Sequence, residues 1–320
     1  MPTVSITGAT GFIGWHVCEA FRDAGWTVRA IVRPGNQKPL PAGVEIRSAA
    51  LIPANAPLAD ALAPSDVVVH AAGLVRARDG ADYQTVNVDG THAVVAAANA
   101  GGARVLLISS QAASGSGTPL RPSAEDDPPH PLTAYGRSKL AAEDAVRGAR
   151  RGWTIVRPPA VYGPGDLAFL PVFKLAARGL FLHVTDRTFP FSIVHVHDLA
   201  RGIVEAAAQP AAVAQTFFIA QREPVTADAL LEHLAALFGR RYRPRRVPEP
   251  IVSAMAAGGG IAWRFGLVPL LDPSRLIEFR SGGFVCAVDR ARSVLGFNAD
   301  IPLKAGLAET AAWYKAQGWL

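Results

Sequence analysis

Short apolar, β-branched runs alternate with longer helix-like runs through the first half of the chain. The stretches at 4–7, 27–32, 44–47, 66–70, 104–109 and 153–156 are largely apolar and bounded by polar residues or glycine, which is how buried strands read. The segments 12–24, 83–100 and 133–150 between them read as helices. Strands that are apolar throughout and alternate with helices imply a parallel sheet covered on both faces, a doubly wound α/β fold. After Arg157 the pattern loosens, proline and glycine become frequent, and helices at 169–178 and 227–238 are separated by loops. This predicts a nucleotide-binding domain over 1–165, with 193–220 returning to its sheet. A smaller, partly discontinuous C-terminal substrate domain is expected from 166–192 and 221–320.

Composition changes this picture only in part. Half of the 320 residues are hydrophobic and 18% are charged, which suits a large core and argues against disorder. The net charge of +6 suits an anionic ligand such as a phosphorylated cofactor. Nucleic acid is not expected, because the basic residues are scattered apart from Arg240, Arg241, Arg243, Arg245 and Arg246, which read as a solvated loop. Cys18 and Cys286 lie in apolar surroundings and read as core residues, so no metal site or disulfide framework is expected. The chain starts directly with a strand-like run, which leaves no room for a signal peptide. The apolar segment 251–271 is interrupted by Gly258, Gly259, Gly260, Arg264 and Pro269, so no membrane span is expected. A cytoplasmic location follows.

The first strand runs into Thr7-Gly8-Ala9-Thr10-Gly11-Phe12-Ile13-Gly14. Glycines at a strand-to-helix turn allow a pyrophosphate to approach the backbone, and the helix N-terminus offers it free N–H groups. The second strand ends at Arg33. An acidic residue there would bind the ribose hydroxyl of NAD, whereas a guanidinium pairs with the 2′-phosphate of NADP. NADP is therefore preferred, with NAD as the alternative.

Tyr135 and Lys139 are four residues apart and share a face if helical. A phenol has a pKa near 10, and a nearby ammonium favours its ionised form, so Lys139 is expected to lower the Tyr135 pKa. The pair alone is weak, since Tyr-x-x-x-Lys arises by chance in many helices. Ser110 stands at the end of an apolar strand, 25 residues before Tyr135.

Taken together these residues resemble the extended short-chain dehydrogenases/reductases, the NAD-dependent epimerase/dehydratase family. Thr7 to Gly14 is similar to its Thr-Gly-x-x-Gly-x-x-Gly signature, and Tyr135 with Lys139 to its Tyr-x-x-x-Lys. Ser109-Ser110, His70-Ala71-Ala72-Gly73, Asn87 with Gly90 and Thr91, Arg157 through Gly165, and Val196 to Ala200 resemble further motifs. So does the closing helix around Trp313-Tyr314, and the likeness covers the whole chain. One departure is Ala50-Leu51, where the family usually places Asp-Leu against the adenine. The region Phe284 to Phe297 looks like the dihydroflavonol-reductase and 3β-hydroxysteroid-dehydrogenase branch.

The resemblance implies a Rossmann-type fold and a site in which Ser110, Tyr135 and Lys139 are catalytic. Gly8, Thr10, Gly11, Phe12, Ile13, Gly14, Arg33, Leu51, Ala71, Ala72, Gly73, Asn87, Ser109, Lys139, Pro158 and Val161 would hold the cofactor. Leu74, Gln111 and Phe191 would face the substrate. Members acting on nucleotide sugars usually carry an arginine where Phe191 stands, and a phenyl ring cannot pair with a diphosphate. The expected activity is hydride transfer between a nicotinamide and a secondary alcohol or ketone of a mostly apolar substrate. Segment 251–271 reads first as an ordinary core helix, with an apolar wall or lid over the substrate as the alternative. The alternative is a nucleotide-sugar epimerase or dehydratase using Arg178, Arg187 or Arg275. A minor alternative is a non-catalytic NADP-sensing protein. The resemblance also implies a homodimer packed through the helices at 83–100 and 133–150.

Overall fold

The computed structural model describes all residues except 53–55, 78–79, 266–268 and 270. Strands β1 (Thr3–Thr7), β2 (Thr27–Val32), β3 (Glu45–Ser48), β4 (Val67–His70), β5 (Arg104–Ile108) and β6 (Trp153–Arg157) form one sheet with an edge strand, Gln215–Phe218. From that edge the order is Gln215–Phe218, β6, β5, β4, β1, β2, β3, and every pairing is parallel. The order reverses between β1 and β4, which opens a crevice at their carboxyl ends. The doubly wound fold expected from the sequence is present.

Alternation along the strands builds two cores. Val4, Ile6, Val67, Val69, Leu106 and Ile108 pack on one face against helix α1 (Phe12–Asp23) and helix Val196–Ala208, through Val17, Phe21, Leu199 and Ile203. Val68, Val105, Leu107 and Ile155 pack on the other against helices α2 (Ala56–Leu62), α4 (Gly90–Gly101) and α5 (Ala134–Val146). Between α2 and α4 lies the short helix α3 (Gly80–Tyr83). A strand with both faces covered has no polar side, which is why these runs are uninterrupted in sequence.

Several boundaries differ from the sequence pattern. The expected helix 83–100 contains a π-helical stretch, Gln84–Asp89, and from the first turn of α4 Thr91 Oγ1 donates back to the Asn87 carbonyl at 2.6 Å. The helix expected at 133–150 ends at Val146, with Thr133 capping its start through a bond from Gly136 N. Of the segment 193–220, Gln215–Phe218 does join the sheet. Ile193–His195 instead pairs with Ala160–Tyr162 outside it.

The remaining chain gathers a third core around Tyr162, Phe173, Phe181, Leu234 and Tyr314. Helix Glu249–Arg264 covers most of the apolar segment 251–271. Its Val252 and Ala256 pack with Leu271 and Leu276, while Ile251 and Ile261 are exposed. Residues 266–268 and 270 of that segment lie outside the described residues. No helix among the described residues is long and apolar enough to cross a membrane.

Candidate active site

The crevice between β1 and β4 is where bare backbone is needed. Gly8 has φ of +72°, and a Cβ there would lie 2.5 Å from the Ala72 nitrogen. At Gly14 a Cβ would meet the Gly8 carbonyl oxygen at 2.1 Å. The turn of β1 therefore touches both α1 and the segment Ala71–Gly73 after β4 with no room for side chains. No side chain caps the first turn of α1, so the amides of Phe12, Ile13 and Gly14 remain available for an anion. These residues fit the pyrophosphate of a dinucleotide.

Thr10 Oγ1 accepts from Asn36 Nδ2 at 3.1 Å, and Asn36 N donates to the Arg33 carbonyl at 3.0 Å. This ties the turn after β2 to the glycine-rich turn. Arg33 is exposed there, and its guanidinium has no hydrogen bond or ion pair among the described residues. Leu51 is half-buried against the core over α2 and α4.

Register places Thr7 beside His70 and His70 beside Leu107. His70 is buried and spans two hydroxyls, Thr7 Oγ1 at 2.7 Å from Nδ1 and Thr91 Oγ1 at 3.0 Å from Nε2. Thr91 gives its own proton to the Asn87 carbonyl, so it accepts from Nε2–H, and Nδ1 accepts from Thr7. Burial, aided by the Lys139 charge, pushes His70 down to about 3 and keeps it neutral.

Asn87 clamps the site. Its Oδ1 accepts from Leu74 N at 2.7 Å, and its Nδ2 donates to the Leu74 carbonyl and to Ser138 Oγ at 3.0 and 2.9 Å. Ser138 Oγ in turn donates to the Tyr135 carbonyl at 2.7 Å. The π-turn thus joins the segment after β4 to the first turn of α5.

Ser110 lies two residues after β5 and caps a short 3-10 turn, its Oγ accepting from Ala112 N at 3.2 Å. Tyr135 is half-buried, its ring tilted against Tyr83 with centroids 6.1 Å apart. Burial pushes its phenol up to about 12. A hydrogen bond with Ser110 opposes the shift, and the charges of Glu278 and Tyr83 add to it. The lowering expected from Lys139 is not what this geometry gives. The Lys139 ammonium instead donates to the Ile108 carbonyl at 2.7 Å, and burial holds it down at about 8, with Glu143 opposing. Gly73 lies over both Lys139 and Asn87, 3.7 Å from Nζ and 3.1 Å from Oδ1 to a Cβ placed on it.

Ser109 is turned away from the crevice and donates to Glu143 Oε1 at 2.5 Å. Glu143 is fully buried and takes a two-pronged pair from Arg157, at 2.9 and 2.7 Å. Gln111 is completely buried, with neither amide atom hydrogen-bonded among the described residues, and its N donates to the Pro158 carbonyl at 2.9 Å. Val161 lies on the strand beside Val194. Phe191 is half-buried, stacked on Phe189 at 6.5 Å, and Phe189 meets Phe279 edge-on at 5.6 Å.

Sequence reading missed Glu143 and Glu278. Glu143 follows Lys139 by one turn and was detectable as a carboxylate on the inner face of α5. Nothing in the sequence places helix Pro273–Phe279 near Tyr135. Burial pushes Glu278 up to about 7, with Arg275 opposing and Asp272 adding. Asp272 is held by Arg76, which follows β4, through a 3.0 Å bond.

Residues 4–220 match the NAD dependent epimerase/dehydratase family. A ceramide reductase of Caulobacter vibrioides is 34% identical, over 99% of this chain and 96% of that protein. A 4-hydroxy-2-methyl-3-oxo-4-farnesyl-3,4-dihydroquinoline-1-oxide ketoreductase of Stigmatella aurantiaca is 30% identical, over 94% and 93% of the two chains. The solved structure of MoeE5 in complex with UDP-glucuronic acid and NAD is 27% identical, with a TM-score of 0.78 over 98% of this chain and 99% of that one.

Proposed function

The chain belongs to the NAD dependent epimerase/dehydratase family, and we propose that it reduces a ketone on a mostly apolar substrate with a preference for NADP. It is an enzyme of the extended short-chain dehydrogenase/reductase type. The observation that carries the substrate class is Phe191. By the sequence resemblance Phe191 stands where nucleotide-sugar members carry an arginine, and its phenyl ring stacks on Phe189. Apolar rings suit an apolar ligand and give a diphosphate nothing to bind. The likeness to a ceramide reductase and to a ketoreductase of a farnesylated compound supports the same reading.

The bound nicotinamide supplies the hydride. Tyr135, kept protonated near neutrality by burial, donates to the substrate oxygen, the step that carbonyl reduction requires. Ser110 orients that oxygen. Lys139, positioned by the Ile108 carbonyl, holds the nicotinamide ribose. Gly8 to Gly14 receive the pyrophosphate, and Arg33 receives a 2′-phosphate. Ala71, Ala72, Gly73, Asn87, Pro158 and Val161 shape the nicotinamide side, with Leu51 at the adenine. Leu74, Gln111 and Phe191 line the substrate side.

A nucleotide-sugar reading draws on the MoeE5 likeness. Of its candidate cations Arg178, Arg187 and Arg275, Arg187 is paired with Asp228 and Arg275 lies among Asp272, Asp166 and Glu278, acids that oppose a diphosphate. The test is cofactor turnover with two panels, long-chain or polycyclic ketones and alcohols, and UDP- or GDP-sugars. Turnover is expected only with the first. Tyr135→Phe should lower kcat by about 10²–10⁴-fold and leave cofactor affinity unchanged. Turnover of sugar nucleotides alone overturns the reading.

A further inference from the structure

Three side chains that are scattered in sequence meet on the nucleotide-binding helix, apart from Tyr135. His16 and Glu19 are one turn apart on α1, and His197 lies in the first turn of helix Val196–Ala208. One ligand atom from each falls within 4.8 Å of the others.

The two imidazoles are held in a particular way. His16 is 6% exposed, and its Nε2 donates to the Pro164 carbonyl at 2.8 Å. A carbonyl only accepts, so the proton is on Nε2 and Nδ1 carries a lone pair. That Nδ1 is buried with no hydrogen-bond partner among the described residues, and Glu19 Oε2 is 4.0 Å away. His197 turns Nδ1 to Glu309 Oε1 at 3.4 Å, and its ring centroid lies 4.9 Å from that of His16. With Nδ1 turned toward that carboxylate, Nε2 is the ring nitrogen of His197 left for a further ligand.

We propose that His16 Nδ1, a Glu19 oxygen and His197 Nε2 form a site for a divalent transition metal of the Zn²⁺ class, with water as the fourth ligand. Imidazole and carboxylate donors suit that class. The Pro164 carbonyl and Glu309 are the outer partners that metal-bound imidazoles take. Metal–ligand bonds of ~2.0–2.1 Å put tetrahedral ligands about 3.3 Å apart. Glu19 and His197, both partly exposed, close that gap by side-chain rotation while His16 stays fixed. Bound metal ties α1 to helix Val196–Ala208 and to Pro164, and so braces the helix that presents the glycine-rich turn.

A neighbouring group, His195, His197 and Glu309, is as compact but is wired differently. His195 Nδ1 accepts from His197 N at 3.4 Å, so its Nε2 carries the proton and points at Glu309, 3.6 Å away. The neutral ring turns an N–H and not a lone pair to the carboxylate, so it offers no bare donor there.

The experiment is Zn²⁺ titration of the untagged, metal-stripped full chain against a chromophoric competitor, with Co²⁺ absorption reporting geometry. Expected are one equivalent bound, a tetrahedral Co²⁺ spectrum, and loss of both in Glu19→Gln and His197→Ala. Circular dichroism confirms that the variants fold. Glu309→Gln should weaken binding about 10–100-fold, as loss of an outer partner does. No stoichiometric binding by the native chain overturns the proposal. So does any ranking in which Glu309→Gln costs as much as Glu19→Gln, or more.

Discussion

Burial moves Tyr135 up to about 12 and Lys139 down to about 8, so one turn of α5 holds a phenol and an ammonium that both lean toward their neutral forms. Lys139 binds its proton more weakly folded, near 8, than its ordinary 10.5. Below pH 8 the folded chain therefore carries a penalty that lifts as pH rises. Tyr135 works in the opposite sense, but only above its ordinary pKa of 10, where the unfolded phenol ionises first. The melting temperature of the cofactor-free protein should rise between about pH 8 and 10, and Lys139→Met should flatten that rise. Arg33 gives a second prediction. Arg33→Glu would replace the proposed charge-assisted bond to a 2′-phosphate, worth about 1.5–3 kcal/mol, with repulsion. KM for NADP should rise by about 10–100-fold relative to KM for NAD. Tyr135, Lys139 and Arg33 could be singled out in the sequence because each sits at a fixed offset from a local motif. Glu278 could not, because its helix reaches Tyr135 only through packing.

Helix α5 shows how one element serves both the site and the fold. Thr133 starts it, Tyr135 and Lys139 face the crevice, and one turn later Glu143 points into the sheet to meet Arg157. Breaking a buried pair leaves an uncompensated charge. Glu143→Gln should destabilise the chain by about 3–5 kcal/mol in urea unfolding. Replacing both partners with apolar residues should recover much of that loss. The π-turn at Gln84–Asp89 gave no sequence signal, since its residues fit an α-helix equally well. It is marked by the bonds that Asn87 makes to Leu74 and Ser138, which only the folded chain brings within reach.

For the molecule as a whole, we propose a homodimer packed through the outer faces of α4 and α5. Light scattering should then give twice the chain mass of 33.7 kDa. The alternation of strands and helices, the glycine turn and the Tyr-Lys pair follow from the sequence itself. Apolar periodicity and local backbone geometry act between residues a few positions apart, and they need no knowledge of the rest of the chain. Distant residues meet only in the folded molecule. The tertiary structure brings Glu278 to Tyr135, His16 and Glu19 to His197, and Glu143 to Arg157. It also reverses the expected sign of the Tyr135 shift. A pKa depends on the depth of water around a group, and burial is a property of how the elements pack and not of their order.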